Sequence, residues 1–219
     1  MKVILLLFIF VAASSLTLQG IDVSLYQGSI NWKKVAESKY FAILRAGTGY
    51  KGGNNKDSTF EDNYKNAKDA GVKVGAYWYS YAKSVEDAKK EANYFMQHLK
   101  GKQFEWPVYY DIEEESQFEA GIHNSIAKAF CNILEANKYF CGIYSSASKW
   151  SYSFDREVRS RYTVWVAHWG VSKPSYSGAY DVWQKSETGR VNGISVNVDL
   201  DESYTNFEPI MKSAHLNGY

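Results

Sequence analysis

Proline is scarce in this chain, three in 219 residues, and cysteine is scarcer, with two. With no low-complexity tract and no short-period repeat, nothing reads as an interdomain linker, and the length suits a single domain with a large core. Strong charge of either sign is also missing. The formal net charge is +1, which gives no support to a cationic surface for nucleic acid or an anionic membrane. Past Val11 no apolar run approaches the ~20 residues that a membrane-spanning helix needs. There is no Asn-x-Ser/Thr acceptor, and the terminal His215-Leu216-Asn217-Gly218-Tyr219 is neither a retention signal nor a lipid-anchor tail. The number and surroundings of Cys131 and Cys141 argue against a zinc site or a catalytic thiol. They are expected either as a disulfide tying a helix to the next strand or as two buried free thiols.

What is present starts with a leader. Met1-Lys2 is a minimal charged segment, Val3 to Val11 is unbroken apolar sequence, and small residues follow at Ala12-Ala13-Ser14-Ser15. Residues 1–19 are therefore expected as a secretory signal peptide, cleaved between about Ala13 and Gln19. Residues 20–219 would form the mature protein, secreted or held in the lumen of a secretory granule, vacuole or lysosome. Loss of Lys2 brings its side-chain charge sum to zero. A monomer without a cofactor is expected. The compositional excess is aromatic, with 7 Trp and 18 Tyr; such rings fill cores and also stack on sugar rings.

Along the chain, strand and helix patterns alternate. Strands are expected near residues 21–23, 41–46, 72–79, 108–113, 141–145, 163–167, 181–185 and 196–200. Helices are expected at 32–38, at 59–70 with Gly71 at its end, after the Ser84-Val85-Glu86-Asp87 capping box, and at 123–136. Repeated βα units imply parallel strands, and about eight of them suggest closure into an irregular (β/α) barrel with fewer helices in its later half. Chemistry in such barrels sits at the C-terminal ends of strands, where Asp22, Tyr79, Glu113, Tyr144, Trp169 and Asp199 are expected to fall.

The sharpest feature is Trp106-Pro107-Val108-Tyr109-Tyr110-Asp111-Ile112-Glu113, an apolar strand running into two carboxylates. Side chains alternate faces along a strand, so Asp111 and Glu113 point the same way and Ile112 points to the other layer. Their Cα atoms lie roughly 6.5 Å apart at about 3.3 Å rise per residue. Like charges at that range push their pKa values apart, so that one carboxyl holds a proton while the other is ionised. Acid-catalysed glycosidic cleavage needs that division. The competing reading of a strand-end carboxylate is a solvated or salt-bridged group. Glu114 and Glu115 read as the start of a solvated loop, and His168 as structural. No His stands at ligand spacing near the acids, so a metal is not expected.

Gly20-Ile21-Asp22-Val23-Ser24, Gln27-Gly28 and Ile30-Asn31-Trp32 resemble the opening of glycoside hydrolase family 25, the Chalaropsis-type lysozymes. The resemblance continues through Phe41 to Gly47, Ala70 to Tyr77, Pro107 to Glu113, Trp165-Val166-Ala167, Trp183-Gln184, Gly193-Ile194 and Val198-Asp199-Leu200. It implies a secreted N-acetylmuramidase on an irregular (β/α) barrel. The implied substrate is the β-1,4 bond from N-acetylmuramic acid to N-acetylglucosamine in bacterial peptidoglycan. The family's Asp-x-Glu pair falls on Asp111 and Glu113, its first-strand Asp on Asp22 and its last-strand Asp on Asp199. The chain departs from common family residues at Trp78-Tyr79, Lys185, Val196 and Asp201, which bears on subsite geometry and substrate preference.

On this reading Glu113 is the general acid. Asp111 stabilises the developing cation or polarises the substrate's acetamido nitrogen, and Asp22 and Asp199 orient the pair. A rival version makes Asp199 the base for an incoming water. Tyr77, Tyr79, Tyr144, Trp169 and Gln184 are candidates to line the groove, with core packing as their alternative. Two other functions compete: a chitinase-like acetamidohexose hydrolase, and a non-catalytic wall-binding protein on the same fold. A chitinase-like strand would carry further acids where Val108, Tyr109 and Tyr110 stand, and binding alone needs no donor acid.

Overall fold

The computed structural model describes residues 17–49 and 55–219; most of the expected leader, residues 1–16, lies outside them. The described chain runs β1 (Leu18–Val23), α1 (Trp32–Val35), β2 (Phe41–Thr48), β3 (Asn55–Lys56), α2 (Phe60–Asp69), β4 (Lys73–Tyr79), α3 (Val85–Leu99), β5 (Val108–Asp111) and α4 (Glu115–Glu119). It continues through α5 (His123–Ala136), β6 (Cys141–Ser146), α6 (Ala147–Tyr152), α7 (Arg156–Arg161), β7 (Thr163–Ala167), β8 (Val182–Gly189), β9 (Val198–Ser203) and α8 (Phe207–Ser213).

Eight strands close a barrel in the order β1-β2-β4-β5-β6-β7-β8-β9, with β9 returning to β1; β3 is a two-residue flap on β2. Pairing is parallel from β1 round to β8. β9 is antiparallel to both of its neighbours, which corrects the expectation of parallel strands throughout. The cause is the eight-residue link from β8 to β9, since a parallel crossover takes a dozen residues or more. Of the eight α-helices among the described residues, α2, α3 and α5 reach ten residues or more. No helix separates β7 from β8 or β8 from β9.

The period-two alternation of the strands builds two cores. On β2, Phe41 and Ile43 face the barrel interior while Ala42 and Leu44 face the helices; on β5, Tyr109 faces in while Val108, Tyr110 and, just past the strand end, Ile112 face out. The outward set packs on α3 and α5, where the Tyr110 ring stacks on Phe130 with centroids 3.7 Å apart. The interior is aromatic. Phe41 stacks on Trp106 at 4.7 Å, Phe207 of α8 closes on the same Trp106, and Trp165 takes Tyr77, Tyr109 and Tyr144 edge-on above it. This packed floor fills the lower barrel, and the cleft opens at the upper mouth. Cys131 and Cys141 are joined in a disulfide between α5 and β6, on the outer side of the barrel.

β1 starts two residues before the expected domain start at residue 20. Leu18 pairs with Ser203 and Gln19 with Glu202, and the Gln19 amide bonds the Glu202 carboxylate at 3.2 Å.

Candidate active site

Asp22 stands next to last on β1, and Asp111 is the final residue of β5. Glu113 follows two positions on, past the strand end, and still reaches the same space. Asp199 lies directly across the ladder from Asp22. Because β9 runs against its neighbours, Asp199 is at the start of its strand and not, as expected, at its C-terminal end; reversal of the strand brings that start to the mouth. These four acids line one cleft of about 230 Å³, with Tyr77, Tyr79, Tyr144 and Gln184 around them.

Burial separates the pair on β5. Asp111 is buried, with its Oδ1 lacking a hydrogen-bond partner among the described residues. Glu113 presents more of its surface to the cleft. Burial raises the Asp111 carboxyl well above the ordinary range, the Glu113 charge adds to the rise, and the Arg45 guanidinium opposes it. Glu113 is also raised, by burial first, with the Tyr79 hydroxyl opposing and Glu114 and Asp199 adding. Two raised, interacting carboxyls titrate as a unit, so their proton belongs to the pair until a ligand chooses between them.

The other two acids differ as well. Asp22 is buried and raised well above the ordinary range, by desolvation and then by Asp199 and Asp201. Asp199 is pushed up to about 6, mainly by burial. Gln184 holds Asp22 in place, its Nε2 donating to Asp22 Oδ2 at 2.7 Å. The Gln184 Oε1 accepts from the Tyr144 hydroxyl and from the Trp169 indole, each at 2.9 Å. Tyr144 therefore lines the cleft with its hydroxyl already committed to Gln184.

Trp169 is the one predicted groove residue outside this cleft. It lines an adjoining cavity of about 330 Å³ with Ala167, His168, Ser146, Ser148 and Ser175. His168 Nδ1 accepts the Ser175 amide at 3.0 Å, in keeping with its structural reading. Glu114 is not a solvated loop residue: it accepts the Tyr79 hydroxyl at 2.7 Å. Glu115 is paired with Lys149 at the surface.

Three participants were missed. Arg45 follows Phe41 and Ile43 on the inward face of β2, and its Nε meets the buried Asp57 Oδ2 at 2.8 Å. A lone arginine inside an apolar strand was the available signal. Tyr26 reaches the same cleft, with the Arg45 guanidinium 4.9 Å above its ring. Asp201, two residues after Asp199, shares its inward face and is fully buried. The spacing rule that paired Asp111 with Glu113 would have found it. No cluster suited to a metal ion occurs among the described residues.

The profile described as glycosyl hydrolases family 25 matches residues 21–194. Lysozyme M1 of Streptomyces globisporus is 33% identical over 205 residues, covering 84% of this chain and 67% of the relative. The autolytic lysozyme of Clostridium acetobutylicum is 31% identical over 185 residues, covering 84% of this chain; the match spans 55% of that relative's length. The crystal structure of the bacterial lysozyme from Streptomyces coelicolor superposes with a TM-score of 0.71 at 31% identity, covering 91% of this chain and 95% of that one. The chain belongs to glycosyl hydrolases family 25.

Proposed function

We propose that this chain is a secreted N-acetylmuramidase that cleaves the β-1,4 bond between N-acetylmuramic acid and N-acetylglucosamine in bacterial peptidoglycan. The observation that carries the reading is the asymmetry of Asp111 and Glu113 on one cleft floor: a deep carboxyl, one oxygen of which has no partner among the described residues, beside a shallower one. An acetamido N–H placed on Asp111 Oδ1 favours the ionised form of that group. The proton of the pair then resides on Glu113, which faces the cleft and can deliver it to the glycosidic oxygen. As the bond from C1 to that oxygen breaks, the acetamido oxygen closes on C1, with Asp111 accepting from its nitrogen. Water then opens the intermediate, giving its proton to the Glu113 carboxylate. Asp22 and Asp199 set the field around the pair from the facing wall.

Tyr77 and Tyr79 offer ring surface to the sugar in the cleft, and the half-exposed Trp169 offers it in the adjoining cavity. No resident metal or cofactor is required by this chemistry. Clearing of a bacterial wall suspension by the wild type, absent in Glu113→Gln, supports the enzyme reading. Wall binding without clearing by the wild type would leave a lectin instead, and faster release from chitin than from peptidoglycan would favour the chitinase-like reading.

A further inference from the structure

Glu91 of α3 is buried, and no step of the proposed chemistry uses it. Burying a carboxyl is costly unless its oxygens are hydrogen-bonded, and both of these are. Oε1 accepts the Tyr81 amide at 3.1 Å, and Oε2 accepts the Tyr110 hydroxyl at 2.6 Å. The Tyr110 oxygen accepts in turn from Ser80 Oγ at 2.7 Å, and Ser80 Oγ accepts from Gln117 Nε2 at 2.8 Å. Gln117 of α4 also donates to the Ala82 carbonyl at 3.1 Å. Gly49 packs so closely on Glu91 that a Cβ there would collide with Oε1, and the Gly49 amide donates to the Tyr79 carbonyl at 2.8 Å. Glu91 is thus the central acceptor behind residues 79–82, the stretch that leaves β4 at the barrel mouth.

That stretch presents two rings. Tyr79 and Tyr81 stand with centroids 5.0 Å apart. Tyr79 lines the cleft, and both rings line a second cavity of about 400 Å³ with Leu25, Tyr26, Thr48 and Asn55. The two spaces share Tyr26, Arg45 and Tyr79, so the second continues the first. It lies at the end of β2, and β2 and β7 are four strands apart either way round the barrel. The Trp169 cavity, at the end of β7, therefore lies across the mouth from it. We propose that Tyr79 and Tyr81 form a further sugar-binding wall, which takes a pyranose of the glycan strand beyond the bond that is cut, and that Glu91 is the positioning residue that holds Tyr81 in it. Flat amphipathic rings suit the apolar face of a sugar while leaving its hydroxyls in water. Tyr81 is 43% exposed, and fixing its backbone before substrate arrives lowers the ordering cost of binding.

The sugar wall rests on the muramidase reading; the hold of Glu91 on Tyr81 does not. Hydrogen exchange of the whole protein reads that hold without substrate. The Tyr81 amide should exchange about tenfold faster in Glu91→Leu and stay protected in Glu91→Gln, whose carbonyl oxygen still accepts it. Equal protection in wild type and Glu91→Leu overturns the positioning role. On soluble glycan strands from peptidoglycan, Tyr81→Ala and Glu91→Leu should each raise KM about tenfold with kcat within about twofold of wild type. Glu91→Gln should keep the wild-type KM. Because both changes act through one ring, the double variant should be no weaker than either single one. Losses that multiply in the double variant, or a fall in kcat at unchanged KM, overturn the coupling. An active wild type whose KM is unaffected by Tyr81→Ala removes the wall and leaves the muramidase reading standing. A wild type that neither binds nor cleaves the strands removes both. If the leucine variant does not fold, Tyr110→Phe takes one donor from Glu91 and should give the same changes in smaller measure; no change in exchange or KM overturns the positioning role.

Discussion

Gln184 Nε2 donates to Asp22 Oδ2 at 2.7 Å, and this bond reaches across a whole strand, since β9 lies between β8 and β1 in the barrel wall. The same amide takes the hydroxyl of Tyr144 and the indole of Trp169 on its oxygen. One side chain thus ties an acid of the first strand to aromatic walls on β6 and beyond β7. Replacing Gln184 by Ala leaves the buried Asp22 and Tyr144 groups unsatisfied at about 1–3 kcal/mol each. The expected outcome is a loss of kcat on peptidoglycan of about tenfold or more with the fold retained, checked by turnover and circular dichroism. Unchanged kcat would mean that Asp22 is held by other contacts.

The pH dependence follows from Glu113. Its carboxyl is raised by burial, so the protonated form that the mechanism needs persists above the ordinary glutamate value of ~4.3. Activity should fall as pH rises through the raised value. The Tyr79 hydroxyl opposes the rise, so Tyr79→Phe should move the alkaline limb of kcat/KM to higher pH. A shift to lower pH would show that the limb belongs to another group.

Asp199 links activity to stability. Its folded value, about 6, lies above the ~3.9 of an unfolded chain. Between those values the folded state binds more protons than the unfolded one, so this contribution to stability declines as pH rises from about 4 to about 6 and is constant beyond. Asp199→Asn does not titrate. Its Tm relative to wild type should therefore be higher at pH 7 than at pH 4, read by thermal unfolding in matched buffers. The same difference at both pH values would place Asp199 outside the buried cluster.

Much of this arrangement was legible in the sequence because it depends on local periodicity. Ser84 accepts the Asp87 amide at 3.1 Å, as the capping-box spacing required. The two-residue alternation put Asp111 inward and Ile112 outward. The direction of β9 was also within reach of the sequence: the expected link, residues 186–195, is already shorter than the dozen residues that a parallel crossover needs, and β8 extends further still, to Gly189. Asp201 and Arg45 were harder to read. Each is a charged residue at an inward strand position, and its importance comes from partners distant in the chain: Trp165 for one, Asp57 for the other.

The start of β1 constrains processing. Gln19 bonds Glu202, Lys185 Nζ reaches Gln19 Oε1 at 3.3 Å, and Leu18 packs against the barrel interior. On the proposed secretory reading, cleavage between Ala13 and Thr17 leaves this edge intact, whereas cleavage after Gln19 removes it. If the chain is processed as proposed, N-terminal sequencing of the product should find a mature chain that retains Leu18. A mature chain starting at Gly20 would show that β1 forms without its first two residues.

The most direct measurement is mass analysis of the fragments released from purified peptidoglycan by the wild type and by Glu113→Gln, after borohydride reduction of the new ends. The muramidase assignment requires fragments whose reduced end is N-acetylmuramic acid, produced by the wild type and lost in Glu113→Gln. Fragments ending in reduced N-acetylglucosamine, or equal release by the variant, would contradict it.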